Sequence, residues 1–393
     1  MGAKRGIGSA PVKGRRVLVR VDFNVPLDEH GAVADDRRIV EALPTLDHLR
    51  TAGARTILLS HLGRPDGKRD PRLSLRPVAR RLGTLLGQTV LFADDIVGVK
   101  ALESVARLKN GEFLLLENLR FNPGEEANDP GFAQELVRLG ELFVEDAFGS
   151  VHRAHASTVG VPRCLPSFAG LLVEREVREL SRLVGRVERP YAVLVGGAKV
   201  ADKLPLLASF LGRADRLVIG GALSFPFLRA AGASLGATAV EADLGPVAEE
   251  FLRRSEEAGT EVVLPEDLVV ELPGVAEPVT CLLSAVPADG LARDIGPASR
   301  ARFSEALRGT RTVFWNGPLG LAEDPRFAVG TAEVLRTLGT VPGYHVAAGG
   351  DSARVVAALG VSGSFQFVST GGGAALEFVQ GLELPGLSVL PDA

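Results

Sequence analysis

The sequence has few of the residues that mark disulfide-rich, metal-binding or membrane-spanning proteins. Its 393 residues include two cysteines, one methionine, one tryptophan and two tyrosines. Cys164 and Cys281 are too few for a disulfide framework, and neither has neighbours at the spacing of metal ligands. No uncharged apolar run reaches the ~18 residues of a membrane span, and the basic N-terminus lacks the apolar segment of a secretory signal. We therefore expect a cytoplasmic protein without a membrane partner.

The chain also lacks a strong net charge. It has 44 Lys and Arg against 48 Asp and Glu, a formal net charge of −4. This balance excludes the basic footprint of a nucleic-acid-binding protein. Residues 1–170 carry 24 basic and 21 acidic residues, whereas residues 171–393 carry 20 and 27. The first half is the better candidate for an anionic substrate, although a chance scatter of surface charge would give the same counts.

Short apolar runs alternate with segments of helical periodicity along the whole chain. Because the runs are continuously apolar, each strand should be buried on both faces, as in a parallel sheet covered by helices. The sequence predicts an α/β protein with two doubly wound, Rossmann-like domains. The predicted strands are 17–21, 56–59, 89–92, 113–116, 142–144, 192–195, 217–219, 262–264, 313–315, 345–348 and 365–368, and helices are expected at 38–52, 75–86 and 132–139.

The pattern breaks at 160–170, where two prolines interrupt it. We expect the first domain to span residues 1–170 and the second to span residues 171–381. The second would begin with a charged helix at 171–184 that joins the domains as a hinge. Ligands of open α/β sheets bind beyond the carboxyl ends of the strands, and the polar motifs of this chain follow its predicted strands.

The motifs of the first half are rich in arginine and histidine. Arg20, Asp22 and Asn24 alternate along an extended segment, so their side chains would point to one face. The other donors are Arg38 at a helix start, His61 and Arg64 in SHLGRP, Arg120 and Arg153. An internal ion pair or a solvated surface would explain any one of them. Together they predict a site for a small, highly anionic substrate.

Two other interpretations of this half fail on spacing. His152 and His155 have no third ligand at a fixed spacing, which argues against zinc. The segment from Gly63 to Lys68 is one residue shorter than a phosphate-binding loop, and Arg69 follows where Ser or Thr is required.

Glycine clusters dominate the second half, at 196–197, 220–221, 349–350 and 371–373. They lie at strand ends before helices, where bare amides favour phosphate, although glycine pairs also serve close packing. Lys199 and Lys203 are four residues apart at a helix start and would reach the same polyphosphate. Asp351 is a candidate ligand for Mg²⁺. Without the G-x-G-x-x-G pattern, a dinucleotide site loses its main support.

Taken in chain order, eight motifs resemble the phosphoglycerate kinase family, from about residue 16 to the C-terminal segment. They are RVDFNVP, SHLGRP, LENLRF, DAFGSVHRAHAST, GGAKVADK, WNGP, GGDS and STGGGA. The resemblance implies reversible, Mg²⁺-dependent phosphoryl transfer between 1,3-bisphosphoglycerate and ADP, giving 3-phosphoglycerate and ATP, as in glycolysis. It further implies a cytoplasmic monomer, hinge closure and direct in-line transfer without a covalent enzyme intermediate.

The resemblance also assigns residues. The 3-phosphoglycerate site would comprise Arg20, Asp22, Phe23, Asn24, Arg38, His61, Leu62, Gly63, Arg64, Arg120 and Arg153. The nucleotide site would comprise Gly197, Lys199, Lys203, Gly221, Asn316, Glu323, Gly349, Gly350, Asp351 and Ser352. Asp351 would be at Mg²⁺, and Asn316 and Glu323 would be near the ribose. Arg38, Lys199 and Lys203 are the expected catalytic residues, and the tail at about 382–393 would return to the first domain.

The chain departs from the family pattern around the adenosine side and the hinge. Ala292 and Arg293 replace a usual Gly-Leu pair, residues 222–226 replace a segment rich in Met and Ala, and Leu321-Ala322 precede Glu323. Phe367 and Ala375 stand where His and Ser are common. Two alternatives therefore stay open. A dehydrogenase that uses NAD would leave Lys199 and Lys203 without a role, and a non-catalytic nucleotide-binding module would result if the departures abolish turnover.

Overall fold

The structure is a computed structural model that describes residues 2–241 and 244–393. The chain folds into two compact units, Met1–Ser181 with Leu382–Ala393, and Arg182–Gly381. The boundary differs from the expected one, because the helix at 171–181 belongs to the first unit. Its first amide, on Leu171, donates to Thr45 Oγ1 at 2.9 Å, and the next, on Leu172, donates to Asp146 Oδ1 at 3.0 Å. These side chains come from the body of the first unit and fix the helix to it.

The first unit is built on a six-stranded, all-parallel sheet in the order β3-β4-β2-β1-β5-β6. The strands are β1 (Arg16–Val21), β2 (Arg55–Leu59), β3 (Val90–Phe92), β4 (Phe113–Leu115), β5 (Leu142–Asp146) and β6 (Ser167–Ala169). The helices are α1 (Arg37–Thr51), α2 (Arg76–Leu86), α3 (Val99–Arg107), α4 (Pro130–Val137) and α5 (Leu171–Ser181). The five strands expected in this half are present. The sixth, β6, lies in the segment expected to break the pattern, because three residues are too few to show a period.

The side chains of β1 show why this sheet is buried on both faces. Val17, Val19 and Val21 pack into one apolar cluster, and Leu18 packs into a second cluster on the opposite face. Alternate residues of a strand point to opposite faces, so both layers of helices are needed to cover them. Arg20 follows the same alternation and lies on the face of Leu18.

The second unit has a six-stranded parallel sheet in the order β15-β14-β13-β7-β8-β9 and a three-stranded antiparallel sheet in the order β11-β10-β12. The strands are β7 (Tyr191–Val195), β8 (Arg216–Ile219), β9 (Glu261–Val263), β10 (Asp267–Glu271), β11 (Val279–Leu282), β12 (Leu291–Ile295), β13 (Thr312–Asn316), β14 (Tyr344–Ala347) and β15 (Phe367–Val368). The helices are α6 (Val200–Ser209), α7 (Phe225–Ala230), α8 (Leu244–Glu257), α9 (Pro297–Leu307), α10 (Val329–Leu338), α11 (Gly350–Leu359) and α12 (Gly373–Gln380).

The antiparallel sheet is an addition to the expected architecture. It has its own apolar cluster, in which Leu268, Val270 and Cys281 pack against Phe225 and Leu228 of α7. Its outer strand β11 is mostly exposed and carries a mixed pattern, so it lacked the continuous apolar run that indicated the parallel strands.

The C-terminal segment packs on the first unit through α13 (Pro385–Ser388). The Gly386 amide donates to the carbonyl of Val151 at 2.8 Å, and the Lys4 ammonium lies 2.8 Å from the Asp392 carboxylate. Leu387 is fully buried. Among the described residues, no helix is long and apolar enough to cross a membrane.

Candidate active site

The polar motifs of the first unit meet at one edge of its sheet. The strands β2, β1 and β5 are neighbours and run parallel, so the segments that follow them emerge on the same side. Asp22 follows β1, His61 follows β2 and Arg120 follows β4, which pairs with β2. The topology therefore brings together residues up to about a hundred positions apart in the chain.

Asp22 and Arg38 form an ion pair at this edge. The Arg38 Nη1 donates to Asp22 Oδ2 at 2.6 Å, from the first turn of α1. Burial by itself would raise the pKa of Asp22, but the positive charges of Arg38 and Arg20 hold that pKa below its ordinary value. Asp22 is therefore ionised at neutral pH, and the Arg38 side chain is about one-third exposed. A guanidinium held in this way is oriented and still open to a ligand.

A second chain of hydrogen bonds fixes the loops around the edge. The Gly63 amide donates to Asn24 Oδ1 at 2.9 Å, and Arg120 Nη1 donates to the Gly63 carbonyl at 2.8 Å. The Arg120 Nε lies 3.1 Å from Glu126 Oε1. Asn24, Gly63 and Arg120 thus hold three loops in register, and each contributes atoms to the edge.

The edge carries an excess of positive charge that an anion would relieve. Burial is the largest effect on the Arg120 guanidinium and lowers its pKa. The neighbouring charges of Arg153 and Arg20 lower this pKa further, whereas the charge of Glu126 raises it. Arg64 and Arg153 are exposed. Because clustered guanidinium groups repel one another, a bound phosphate or carboxylate would stabilise the arrangement.

The side chains of three residues expected at the substrate are buried. Phe23 and Leu62 lie in the apolar core, where their side chains cannot reach a ligand. Their amides are used within the protein, by Ser60 Oγ at 2.9 Å and by Asn118 Oδ1 at 3.2 Å. Arg20 is also fully buried. The sequence pattern could not show this, because alternation places Arg20 beside Asp22 and Asn24 whether or not the site is open.

The second unit contains a cavity of about 720 Å³ at the carboxyl edge of its sheet. Six of the expected nucleotide residues line it. They are Gly197, Lys199, Lys203, Gly221, Glu323 and Asp351. The two lysines stand at the start of α6, and Asp351 stands in the first turn of α11. Burial lowers the pKa of Lys203 to about 8, whereas the charge of Asp351 acts in the opposite direction.

The glycines allow the loops of this cavity to approach one another closely. A Cβ on Gly196 would lie 2.0 Å from the Pro318 carbonyl oxygen, and one on Gly197 would lie 2.8 Å from Lys203 Nζ. Because these glycines carry no side chains, the Lys203 ammonium can lie beside them and donate to the carbonyl of Gly196. Gly349 precedes α11 with a φ of +104°, a conformation that favours glycine.

Asn316 and Ser352, both expected at the nucleotide, form hydrogen bonds within the protein. Asn316 Nδ2 donates to the carbonyl of Ala348 at 2.7 Å, and Ser352 Oγ accepts from the amide of Gly317 at 2.9 Å. Neither residue lines the cavity, nor do Gly349 and Gly350. Asn316 and Ser352 lie behind the cavity wall and tie the loop after β13 to the loop after β14.

The cavity fits a Mg²⁺ ion that is shared with phosphate groups. Two carboxylates among the described residues, Asp351 and Glu323, line it, and this part of the chain holds no group of three metal-ligating side chains. Mg²⁺ commonly takes one or two carboxylates and completes its shell with phosphate oxygens and water. The exposed carboxylate of Asp351, close to Lys203, suits this arrangement.

The apolar wall of the cavity was not identified from the sequence. Asp351, Arg354, Val355, Ala358 and Leu359 all line it from one face of α11. Their spacing of i, i+3, i+4, i+7 and i+8 is the helical signal that could have found them.

Arg354 adds an unexpected cation, which is paired with the carboxylate of Asp351. The opposite wall includes Ala292, Leu321 and Ala322, so the departures noted in the sequence do surround this cavity.

Comparisons with known proteins identify the family of this chain. The family model described as phosphoglycerate kinase matches residues 7–382. The phosphoglycerate kinase of Thermus thermophilus is 51% identical over 96% of this chain and 97% of its own length. That of Pelotomaculum thermopropionicum is 48% identical over 99% of this chain and 100% of its own. The structure of phosphoglycerate kinase from Coxiella burnetii superimposes with a TM-score of 0.88 at 34% identity, covering 98% of both chains. The chain belongs to the phosphoglycerate kinase family.

Proposed function

We propose that this chain catalyses the reversible transfer of a phosphoryl group between 1,3-bisphosphoglycerate and ADP, giving 3-phosphoglycerate and ATP, as a monomer in the cytoplasm. One observation carries the proposal. This chain, a member of the family, has an arginine-rich sheet edge in its first unit. Its second unit has a cavity of about 720 Å³ that is lined by Lys199, Lys203 and Asp351. The first suits a phosphorylated carboxylic acid and the second suits a nucleotide with its metal.

The chemistry explains why the site needs no activated nucleophile. In the direction from ATP, the attacking group is the carboxylate of 3-phosphoglycerate, which is already ionised near neutral pH. No proton has to be removed, so a general base is unnecessary. Catalysis then depends on in-line positioning and on neutralising the charge of the transferred group.

The cations of the two units supply this neutralisation. Arg38 would face the transferred group from the substrate side, oriented by its ion pair with Asp22. Lys199 and Lys203 would face it from the nucleotide side. Mg²⁺ bound by Asp351 and the phosphates would add a Lewis acid at the leaving oxygens. The side chain of Lys199 is exposed and could follow the phosphate, whereas the Lys203 ammonium donates to the carbonyl of Gly196.

The two groups of residues belong to different units, so transfer requires the bound substrates to be brought together and water to be excluded. Otherwise the acyl phosphate would be hydrolysed. We therefore propose hinge closure as a step of the cycle. Small-angle scattering with both ligands bound should show compaction. An unchanged radius of gyration would contradict the closure step alone.

An assay that couples ADP formation from ATP and 3-phosphoglycerate to NADH oxidation tests the function. Turnover that requires Mg²⁺ and both substrates is expected. Nucleotide binding without turnover would identify a binding module instead. Failure to bind nucleotide would refute the assignment of the cavity.

Arg38→Ala, with Arg37→Ala as the matched control, tests the assignment of Arg38. Both residues lie in the first turn of α1, but Arg37 pairs with Asp35 rather than with Asp22. We expect Arg38→Ala to lose about 3–4 kcal/mol of transition-state stabilisation and Arg37→Ala to stay near wild type. Arg38→Lys keeps a charge beside the buried Asp22 and separates folding from catalysis. Equal turnover of both alanine variants would remove Arg38 from the mechanism.

A further inference from the structure

Arg20 stands at the substrate edge of the first sheet but is fully buried. Its donors are engaged inside the protein. Nε donates to Ser157 Oγ at 2.8 Å, Nη1 donates to the carbonyl of Val21, and Nη2 lies 3.1 Å from Nδ1 of His61. Arg20 therefore acts on the site through its neighbours rather than by contact with a ligand.

The contact with His61 determines which ring nitrogen carries the proton. A guanidinium group has five N–H donors and no acceptor. A hydrogen bond from Arg20 therefore requires His61 Nδ1 to be the acceptor, with its lone pair free. In a neutral imidazole the proton is then on Nε2.

The surroundings keep this imidazole neutral. Burial lowers the pKa of His61 well below its ordinary value, and the charges of Arg20, Arg120 and Arg38 lower it further against the opposing effect of Asp22. Among the described residues, His61 Nε2 has no hydrogen-bond partner, so its N–H is available to a ligand.

A buried chain of groups holds Arg20 in place. Ser157 Oγ lies 2.5 Å from Glu125 Oε1, and its amide donates to Glu125 Oε2 at 3.0 Å. Because the Ser157 hydroxyl gives its single proton to Glu125, its lone pair accepts from Arg20. On the other side, the register of β1 and β5 places Glu145 beside Arg20. In the series Glu125, Ser157, Arg20 and His61, each hydrogen bond therefore joins one donor to one acceptor.

We propose that Arg20 is a positioning residue that fixes His61 as the neutral Nε2–H tautomer, so that the imidazole donates one hydrogen bond to the anionic substrate. This inference rests on the proposed function for the identity of that substrate. A neutral donor is useful here because the edge already carries several fixed positive charges. It adds direction to the binding of an anion without adding further repulsion between cations.

Nitrogen NMR of the ring nitrogens in the full-length, ligand-free protein tests the tautomer directly. The chain has six histidines, and His61→Gln identifies the His61 signals by their disappearance. We expect Nδ1 in the unprotonated position and Nε2 in the protonated position across neutral pH. A protonated Nδ1, or both nitrogens protonated at pH 7, would overturn the proposal.

Arg20→Gln tests the cause. The amide can accept as well as donate, so both tautomers should become populated and the affinity for 3-phosphoglycerate should fall about tenfold or more. Arg16→Gln is the control on the same strand, because Arg16 is paired with Glu141 away from His61. In Arg16→Gln, the His61 tautomer and the affinity for 3-phosphoglycerate should match those of the wild type. An unchanged tautomer in folded Arg20→Gln would refute the role of Arg20.

Two substitutions at His61 keep the proposal testable if Arg20→Gln does not fold. A glutamine amide nitrogen occupies nearly the position of Nε2, whereas that of asparagine lies near Nδ1. We expect His61→Gln to retain more affinity for 3-phosphoglycerate than His61→Asn. The reverse order would contradict donation from Nε2. If the wild-type protein binds no 3-phosphoglycerate, the proposed function fails, and the NMR result still decides whether Arg20 sets the tautomer.

Discussion

Gly196→Ala should damage the nucleotide site through packing alone. Gly196 follows β7, and its φ does not lie in the region reserved for glycine. The added Cβ would nonetheless lie 2.0 Å from the Pro318 carbonyl oxygen, 2.7 Å from its carbonyl carbon and 3.0 Å from the Gly317 carbonyl oxygen. Ordinary contact begins at 3.4 Å, so the loop after β13 has to move by about 1.4 Å. All three obstacles are backbone atoms, which cannot turn aside.

The displaced loop carries Pro318 and Leu321, which line the cavity. Overpacking of this kind costs about 1–3 kcal/mol of stability, and a displacement of ~1 Å at a reacting site can cost about 100-fold in rate. Gly245→Ala is the control, because no atom of the residues that the structure describes lies within 4 Å of a Cβ at that position in α8. Calorimetric titration with ADP, urea denaturation and the coupled assay measure the three effects. Wild-type affinity, turnover and stability in Gly196→Ala would refute the argument.

Three further predictions concern single side chains. Glu141 is bound by the amide of Arg16 and by the side chains of Arg15 and Arg16, which lower its pKa from 4.5 to about 2. Glu141→Gln should therefore cost ~1 kcal/mol at pH 7, and the difference from wild type should shrink as the pH falls from about 4.5 towards 2 in urea denaturation. Burial raises the pKa of Asp294 from 3.8 to about 7. The folded state then binds this proton more tightly than the unfolded state does. Wild-type stability should therefore fall as the pH rises from about 4 to about 7, by up to about 1.4 kcal/mol per pH unit, and Asp294→Asn should lack that slope. Arg354→Met removes the partner of Asp351, so Mg²⁺-free ADP should bind about two- to fivefold more weakly, with a smaller loss for ADP with Mg²⁺ in titration calorimetry. Equal losses in both conditions would show that Arg354 does not offset the charge of Asp351.

The positions of most parallel strands in the chain could be predicted from the sequence, because a buried strand is a largely continuous apolar run. Tyr191–Val195 and Leu142–Asp146 are buried along their whole length, and both were recognised. The antiparallel strands were missed for two reasons: β10 and β12 are mostly buried but include charged residues that interrupt their apolar runs, and β11 has one buried residue in four. The short β6 was missed for lack of length. Periodicity reports burial, so strands with little burial or few residues leave no signal.

The charge difference between the two halves of the sequence is smaller when the charged residues are counted by the observed units. With α5 and the C-terminal tail included, the first unit carries 26 basic and 26 acidic residues, and the second carries 18 and 22. The positive character of this edge of the sheet is therefore local. It arises because the segments that follow the strands place Arg38, Arg120 and Arg153 on one side, and no regional count of charge can show that.

The sequence by itself determined the family, the two parallel sheets and the strand ends that carry the expected site residues, since these depend on local pattern and chain order. Tertiary structure decided which side chains can reach a ligand. Arg20 and Arg64 are equivalent donors in the sequence, yet Arg20 is fully buried and Arg64 is exposed. The difference comes from Ser157, 137 positions away, which accepts from Arg20. A side chain's role depends on its partners, and these were brought together only by the packing of distant segments.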